Sequence, residues 1–484
     1  MSRGWCRYMS RGNIVLVITS LGSFLSVLNS TSLLIALPSM MIDLKMSFFL
    51  VIWVLTAYSI ALAVLSPVLG KYSDVRGRKN IYSIGYLIFF IGSLLAGVSP
   101  NSLLVLVARI LQGAGAACLF SNSLAIITDN FKGVELQRAM GINAAVVGLG
   151  TAIGPILGGA LTQLTWRLVF LFNAPIAILG YLISVKSLPS DSVSGRNIKM
   201  DWLGSIIFSM LMIILIAYLT LGPIIGWLGE DASMPISALI LLVMLILIEG
   251  RAREPMINPN IFSNKRFSLA ITSTLLNSII RYSLILLLVL YLQGPAGYTP
   301  LEAGLIMTPY AVAMGLSSFY SPKLIKYINS DTIQSIGSSL IGTASFVLAM
   351  SPLPLVFMLI AMVMGGTGMG LFYTPNNTSI MLSVEPVQRG IAAGLRILML
   401  NLGSAVGTAV VFAVLATVEP MQLIGNVFLG LTTSLGYRDK SLFIRGIDIS
   451  FIMIGIISIS TIALLILHKK QEARDLLLKE QGEQ

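Results

Sequence analysis

The feature that most constrains this chain is a succession of about fourteen apolar runs separated by short polar or Pro/Gly-containing stretches. Their approximate limits are 13–37, 49–69, 81–98, 102–127, 138–163 and 167–186 for the first six, then 202–222 and 234–250. The last six are 267–292, 302–321, 331–350, 354–376, 390–416 and 447–468. A helix crossing roughly 30 Å of hydrocarbon at 1.5 Å per residue needs about 20 apolar residues. In lipid the backbone amides find no water, so runs of this kind must satisfy them internally, as helices. Composition agrees: 56% of residues are hydrophobic and 11% charged, with a mean hydropathy of +0.90, against about 25% charged in soluble domains. The expected fold is an all-α integral membrane protein, its basic N-terminal stretch leading into a retained first span rather than a cleaved signal. MSRG stands at both Met1 and Met9, so initiation at Met9 is a further reading.

Charge placement orients the runs. With the N-terminus in the cytoplasm, inside loops hold sixteen Lys and Arg, among them Arg196, Lys199, Arg251 and Arg253, and outside loops hold five. That asymmetry follows the positive-inside rule and places both termini in the cytoplasm, in a multi-pass protein of the cell membrane. The net charge of +11 sits in these short loops, not in a basic stripe with interleaved aromatics, so nucleic acid is not an expected partner. Cys6 and Cys118 form no disulfide or metal pattern, and the lone histidine, His468, starts a polar tail. No metal, no cofactor and no catalytic residue set is expected; the chain does not read as an enzyme.

A duplication is also visible. Ser66-Pro67-Val68-Leu69-Gly70-Lys71-Tyr72 matches Ser321-Pro322-Lys323-Leu324-Ile325-Lys326-Tyr327 at five of seven positions, and Gln137-Arg138 recurs as Gln388-Arg389. The spacing leaves room for two inserted helices between six-span halves. The organisation is then a tail (1–12), a first six-helix bundle (13–186), a linker with two inserted helices (187–266), a second bundle (267–468) and a tail (469–484). Duplicated halves around a midplane site are a common way to alternate access.

Four motifs carry chemistry. Between the second and third spans, Gly70-Lys71-Tyr72-Ser73-Asp74-Val75-Arg76-Gly77-Arg78-Lys79 sets one carboxylate among cations, with glycines for a tight turn. Asp74 can cap a neighbouring helix N-terminus or pair with Arg78 in one conformation only. In the fourth span Arg109 and Gln112 share a helical face and Gly113 follows; an intramembrane Arg is costly and faces a cavity or a partner. Asp129, at the end of that span, is placed to pair with Arg78. The fifth span holds Gly150, Gly154, Pro155, Gly158 and Gly159, small residues that let helices approach and a proline that bends one.

These strings resemble the signature loop, the Arg-x-x-Gln-Gly motif and the antiporter motif of the major facilitator superfamily. Asn29-Ser-Thr31 through Pro38, Trp166-Arg167 with Phe170, Asn173 and Pro175, and Tyr291-Leu292-Gln293 through Pro309 are similar to segments of its fourteen-span drug:proton antiporters. The resemblance covers about residues 13–468. It implies two six-helix bundles plus two extra central helices, a gate at Gly70, Asp74, Arg78, Lys79 and Asp129, and export of small amphiphiles by proton antiport. The implied partners are such a substrate, protons as coupling ion and membrane lipids, with the protein a monomer.

The pattern breaks at Asn29, where those antiporters carry Asp. Asn has no titratable proton and cannot balance a cation. All twenty Asp and Glu fall in loops, tails or span ends on these boundaries, while Arg109, Arg281 and Arg396 lie within spans. Such a cavity attracts cations poorly and suits anions or neutral amphiphiles better. Asn29, Arg109, Gln112 and Arg281 are therefore the candidate substrate or proton pathway, with Arg396 read as packing or snorkelling. Asn143, Asn277 and Asn376 are candidate polar contacts; Met307, Tyr310, Met314, Met369 and Phe372 are read first as packing. An exporter or facilitator of an anionic metabolite or lipid is the alternative function. A non-transporting sensor is a third; it calls for an appended soluble domain, and the longest polar segment is the C-terminal tail.

Overall fold

A computed structural model describes residues 11–46, 48–189, 201–225, 233–250, 259–418 and 437–482. Its helices are α1 (Arg11–Asp43), α2 (Phe48–Arg76), α3 (Arg78–Gly97), α4 (Ser102–Asn130), α5 (Gly133–Leu164), α6 (Arg167–Leu171), α7 (Asn173–Ser187), α8 (Trp202–Ile225) and α9 (Ser233–Glu249). They continue as α10 (Lys265–Gln293), α11 (Pro300–Leu324), α12 (Ser330–Leu348), α13 (Leu355–Leu382), α14 (Arg389–Ala416) and α15 (Tyr437–Gly482). No strand occurs among the described residues. Ten spans are long and apolar enough to cross a membrane, or eleven with α5, which bends by 41° between Thr151 and Ile156. That break holds Gly154-Pro155; the Pro155 side chain lies outside the described residues.

Two packed groups emerge. In the first, α1 lies on α5, and α4 lies on α2 and α3; in the second, α13 lies on α11 and α12, and α10 on α14. The halves meet along two seams, α2 against α14 and α5 against α11. The seams repeat one construction. A Cβ on Gly394 of α14 would run into Ser66 and Pro67 of α2, and one on Gly141 of α5 would run into Ser318 and Pro322 of α11. At each Ser-Pro segment of the sequence duplication a glycine of the opposite half thus approaches closely, on the Ser66-Pro67 backbone at one seam and on the Pro322 ring and Ser318 carbonyl at the other. The inserted helix α8 covers the α2–α14 seam, its Phe208, Leu211 and Met212 clustering with Val64, Val68, Ile391 and Leu395. Helix α9 packs on α8 and buries none of its own residues.

Several expected boundaries need correction. The stretch read as a loop from Gly70 is mostly helix: α2 continues to Arg76 and only Gly77, with φ of 97°, breaks it. Gly70 makes no turn; its missing Cβ admits the Gly390 carbonyl. The span expected over 167–186 is found as Arg167–Ser187, with Phe172 between α6 and α7 keeping helical angles. The tail expected from 469 is a continuation of α15 to Gly482, a stretch rich in Lys, Glu, Gln and Leu, which favour helix wherever packing does not decide. Met1, Cys6, Met9, Arg196, Lys199, Arg251 and Arg253 lie outside the described residues, as does the side chain of His468.

Within the first half, Gly150 faces Phe24, Gly154 faces Thr31 and Gly158 faces Ser32, all on α1. Gly159 is buried beside them. The fifth-span glycines therefore set the α1–α5 distance. Gly158→Leu is expected to overpack that contact by about 1–3 kcal/mol and to lower the thermal midpoint of the purified protein. Ile153→Ala, at a position 40% exposed, should leave the midpoint nearly unchanged; equal midpoints for the two variants would contradict the packing described.

Candidate functional site

The first site is a charged knot at one end of the α2–α14 seam. Asp74, in the last turn of α2, has a side chain only 4% exposed. Its carboxylate accepts from the backbone N–H of Gly390 at 3.1 Å and of Ile391 at 3.1 Å. These amides begin α14, whose own N-cap residue, Gln388, provides no side-chain cap. The first N–H groups of any helix lack partners and carry partial positive charge, so a carboxylate from the first half satisfies a helix of the second. Arg78 donates to Asp74 at 2.7 Å and to the Pro386 carbonyl at 2.7 Å, and also pairs with Asp129. Arg389 donates to the other Asp129 oxygen at 2.8 Å. Two acids and two guanidiniums thus alternate across the seam. Lys79 stands half-buried in the first turn of α3, and Gly70 lets the two backbones close beneath the knot.

At the duplicated loop of the second half the carboxylate corresponding to Asp74 is missing. Asn329 occupies the place of Asp74 in the repeat and accepts from Asp331 N–H at 3.2 Å, capping its own helix α12. The latch is one-sided. At the far end, Asp43 accepts from Trp166 Nε1 at 2.8 Å and Arg167 Nη1 at 2.7 Å, wholly within the first half. Those hydrogen bonds, Trp166 first and then Arg167, hold its carboxyl below the usual aspartate range.

Between the two ends lies the polar interior. Asn29 is fully buried, and its amide oxygen accepts from Asn173 at 3.3 Å, a neutral pair. Arg109 is 1% exposed; it donates to Val54 O at 3.1 Å and to Gln112 at 2.8 Å, while Gln112 donates to Ser93 at 2.9 Å. Arg109 also lies over the Tyr58 ring, 4.4 Å from its centroid. Asn143 donates to Ser23 at 3.2 Å. Arg109 and Gln112 thus belong together, whereas Asn29 has its own partner.

A small cavity lies in the second half, between α10, α13 and α14. Arg281, expected from the sequence, lines it together with Arg396, which the sequence reading set aside as packing or snorkelling. Helix α14 begins at Arg389 and its first turns are buried at the seam, so Arg396 is 3% exposed rather than at an interface. Its Nε donates to Asn377 Oδ1 at 2.6 Å and it lies 4.8 Å over the Tyr373 ring. Arg281 lies 4.5 Å over Tyr282. Neither arginine pairs with a carboxylate among the described residues.

Asn376 is occupied: Thr274 donates to it at 2.7 Å and it donates to Ser273 and Ala270, each at 3.0 Å. Asn277 Nδ2 and Asn377 Nδ2 have no partner, a state costing about 1–3 kcal/mol for each buried donor. Of the residues read as packing, Phe372 lines the cavity, and Tyr310, Met314 and Met369 belong to the core of this half with Met307 packed on it. Asn377, adjacent to a residue already singled out, and Arg396, in a run of otherwise apolar residues, carried the available sequence signals.

Residues 19–408 match the profile of the Major Facilitator Superfamily, and residues 270–482 match it again. The chain is 31% identical over 403 residues to the riboflavin transporter RibZ of Clostridioides difficile, covering 82% of this chain and 86% of that one. It is 32% identical over 415 residues to the puromycin resistance protein pur8 of Streptomyces alboniger, covering 84% and 81%. Among solved structures, the human organic anion transporter MFSD10 superposes with a TM-score of 0.67 at 15% identity, covering 94% of this chain and 100% of that one.

The Asp43 pin yields a pH prediction. A carboxyl with a lowered folded pKa contributes stability that is complete above its unfolded value, about 3.9, and is lost as pH falls through the lower folded value. Trp166 fluorescence should therefore stay constant on acidification to about pH 4 and change below it. A transition near neutrality that Asp43→Asn abolishes would contradict this.

Proposed function

The chain belongs to the Major Facilitator Superfamily and is a transporter rather than an enzyme, and on that premise we propose that it exports small amphiphilic molecules from the cytoplasm by alternating access. The observation that carries the proposal is the bond from Asp74 to the Gly390 and Ile391 amides. It joins the two halves at one end through groups that lose their partners whenever that end opens. Removing one member of a buried ion pair costs about 3–5 kcal/mol, so Arg78 and Asp129 must re-pair or be hydrated each cycle. With both termini cytoplasmic, in the cell membrane, the knot lies on the inside and the structure is the inward-closed state.

The proposed topology has fourteen spans. The bent α5 makes eleven, and α9, α11 and α12 are the remaining three. Helix α9 has 17 residues; α11 carries Pro309 and Pro322 and α12 is rich in serine, which lowers their hydropathy without removing their helical span. Similarity to a puromycin resistance protein and a riboflavin transporter supports small, ring-bearing substrates. Gly150, Gly154, Gly158 and Gly159 hold α1 to α5 as that pair pivots, and the monomer suffices because both seams lie within one chain.

Proton antiport is the coupling we propose. Asn29 bears no proton, and Glu302 is exposed, tied to Thr299 in a capping box, so the carriers this reading leaves are Asp74 and Asp129 in the knot and Asp448, which lies within the Lys440–Ile466 span rather than at its end and has one unpartnered carboxyl oxygen. The second reading, exchange or facilitated movement of an anion, is favoured by the arginines of the cavity and the neutral Asn29–Asn173 pair.

Proteoliposomes with an imposed pH gradient test the coupling. Gradient-dependent substrate accumulation is expected, falling at least about tenfold in Asp74→Asn, as for loss of a buried charge partner, with unchanged insertion. Full transport by Asp74→Asn would remove the knot from the cycle, and accumulation indifferent to the gradient would replace antiport with the second reading.

A further inference from the structure

The cavity between α10, α13 and α14 is lined by donors on nearly every side. Arg281 and Arg396 bring two guanidiniums, and Asn277 Nδ2 and Asn377 Nδ2 are buried donors with nothing to bond. Two amide acceptors are already engaged: Asn376 Oδ1 by Thr274, and Asn377 Oδ1 by Arg396, which also fixes which way that amide points. The lining contains no Asp or Glu. The charge is softened only by ring faces, Tyr282 under Arg281 and Tyr373 under Arg396, an attraction much weaker than an ion pair. Tyr310, whose hydroxyl also lacks a partner, lies within electrostatic reach of Arg281. A cation entering here meets two like charges in a low-dielectric setting, which is unfavourable at any orientation. An anion meets two forks suited to bidentate bonds with a carboxylate, sulfonate or phosphate.

Deepening the transport reading, on which it rests for the cavity's role as the translocation site, we propose that this cavity is the substrate site and takes a flat aromatic molecule bearing an acidic group. The acidic group sits between Arg281 and Arg396, carbonyl or ring-oxygen acceptors take up the Asn277 and Asn377 amides, and the ring lies against Phe372 and Tyr373. In this closed state the cavity is far smaller than a drug-sized pocket, so the ring enters it only as the packing of Tyr373 and Leu400 against the first half loosens. Tyr373 and Leu400 pack with Tyr58 and Leu62 of the first half, so the occupied cavity borders the opposite bundle.

The test uses two dyes with the same xanthene ring system and opposite charge, fluorescein and rhodamine 6G. Binding to the full chain in phosphatidylcholine nanodiscs is read by fluorescence anisotropy with no gradient present. Fluorescein should bind more tightly than rhodamine 6G. Arg281→Gln and Arg396→Gln should each weaken fluorescein at least about tenfold, the scale of one charge-assisted bond, while exposed Arg138→Gln should not. Because loss of a buried arginine can disturb folding, Asn377→Asp gives a second route. It sets a carboxylate against Arg396 and should weaken fluorescein while improving rhodamine 6G.

Preferential rhodamine 6G binding in the wild type, or fluorescein affinity unmoved by all three cavity variants, overturns the proposal. So does displacement of fluorescein by phosphatidylglycerol that exceeds displacement by free aromatic acids, which would make a lipid headgroup the occupant. Failure of gradient-driven transport alone bears on the transport reading and leaves the binding result intact.

Discussion

A carboxylate placed on the backbone amides of a helix that belongs to the other half of the molecule is the interaction on which this structure turns. Helix α14 starts without a cap of its own, and Asp74 of α2 supplies one. The arrangement requires Gly70 and Gly390 at the same level, since a Cβ on either would hold the backbones apart. It requires Gly77 to turn the chain so that Arg78 can reach back to Asp74 and across to Asp129. Remove Asp74 and the α14 amides lose their acceptor, leaving Arg78 on Pro386 and Arg389 on Asp129 as the polar links across the seam. In the proposed cycle the knot separates two discrete states of this interface.

The duplication explains why the seam exists in two copies and why only one is latched. Gly394 against Ser66-Pro67 and Gly141 against Ser318-Pro322 are the same docking made twice. At the loop that follows, one copy carries Asp74 and the other Asn329, which turns inward to its own helix. On the proposed cycle a symmetric pair of latches would hold both seams equally, whereas a single one lets α5 and α11 act as the hinge while α2 and α14 part. The inserted α8 lies over the latched seam.

Much of this was legible in the residues because membrane helices announce themselves by length and apolarity, and the loop motif by its charges. The pairing of Arg78 with Asp129 was expected from position, and Arg281 from its cost in a span. The helical extent of α2 was not legible: Lys71, Asp74 and Arg76 read as polar loop, yet the opposing half buries that turn and supplies its partners. Arg396 was misplaced for the same reason, since burial at its position is created by α2 packing on α14 and by no neighbour in sequence. Asn29 shows the reverse case. Its neutrality was visible in the sequence, and the structure gives it Asn173 as an equally neutral partner, consistent with an interior where buried arginines rest on tyrosine rings instead of carboxylates.

On the proposed cycle the knot biases a rocking equilibrium about the seams. Spin-label distances in nanodiscs test it most directly, with one pair at exposed positions Asn80 and Glu385 beside the knot and a second at Ile42 and Met350 of the far end. In Asp74→Asn the first distance should lengthen and the second shorten together relative to the wild type. Two unchanged distances, or two that lengthen in concert, would contradict a rigid-body exchange controlled by Asp74.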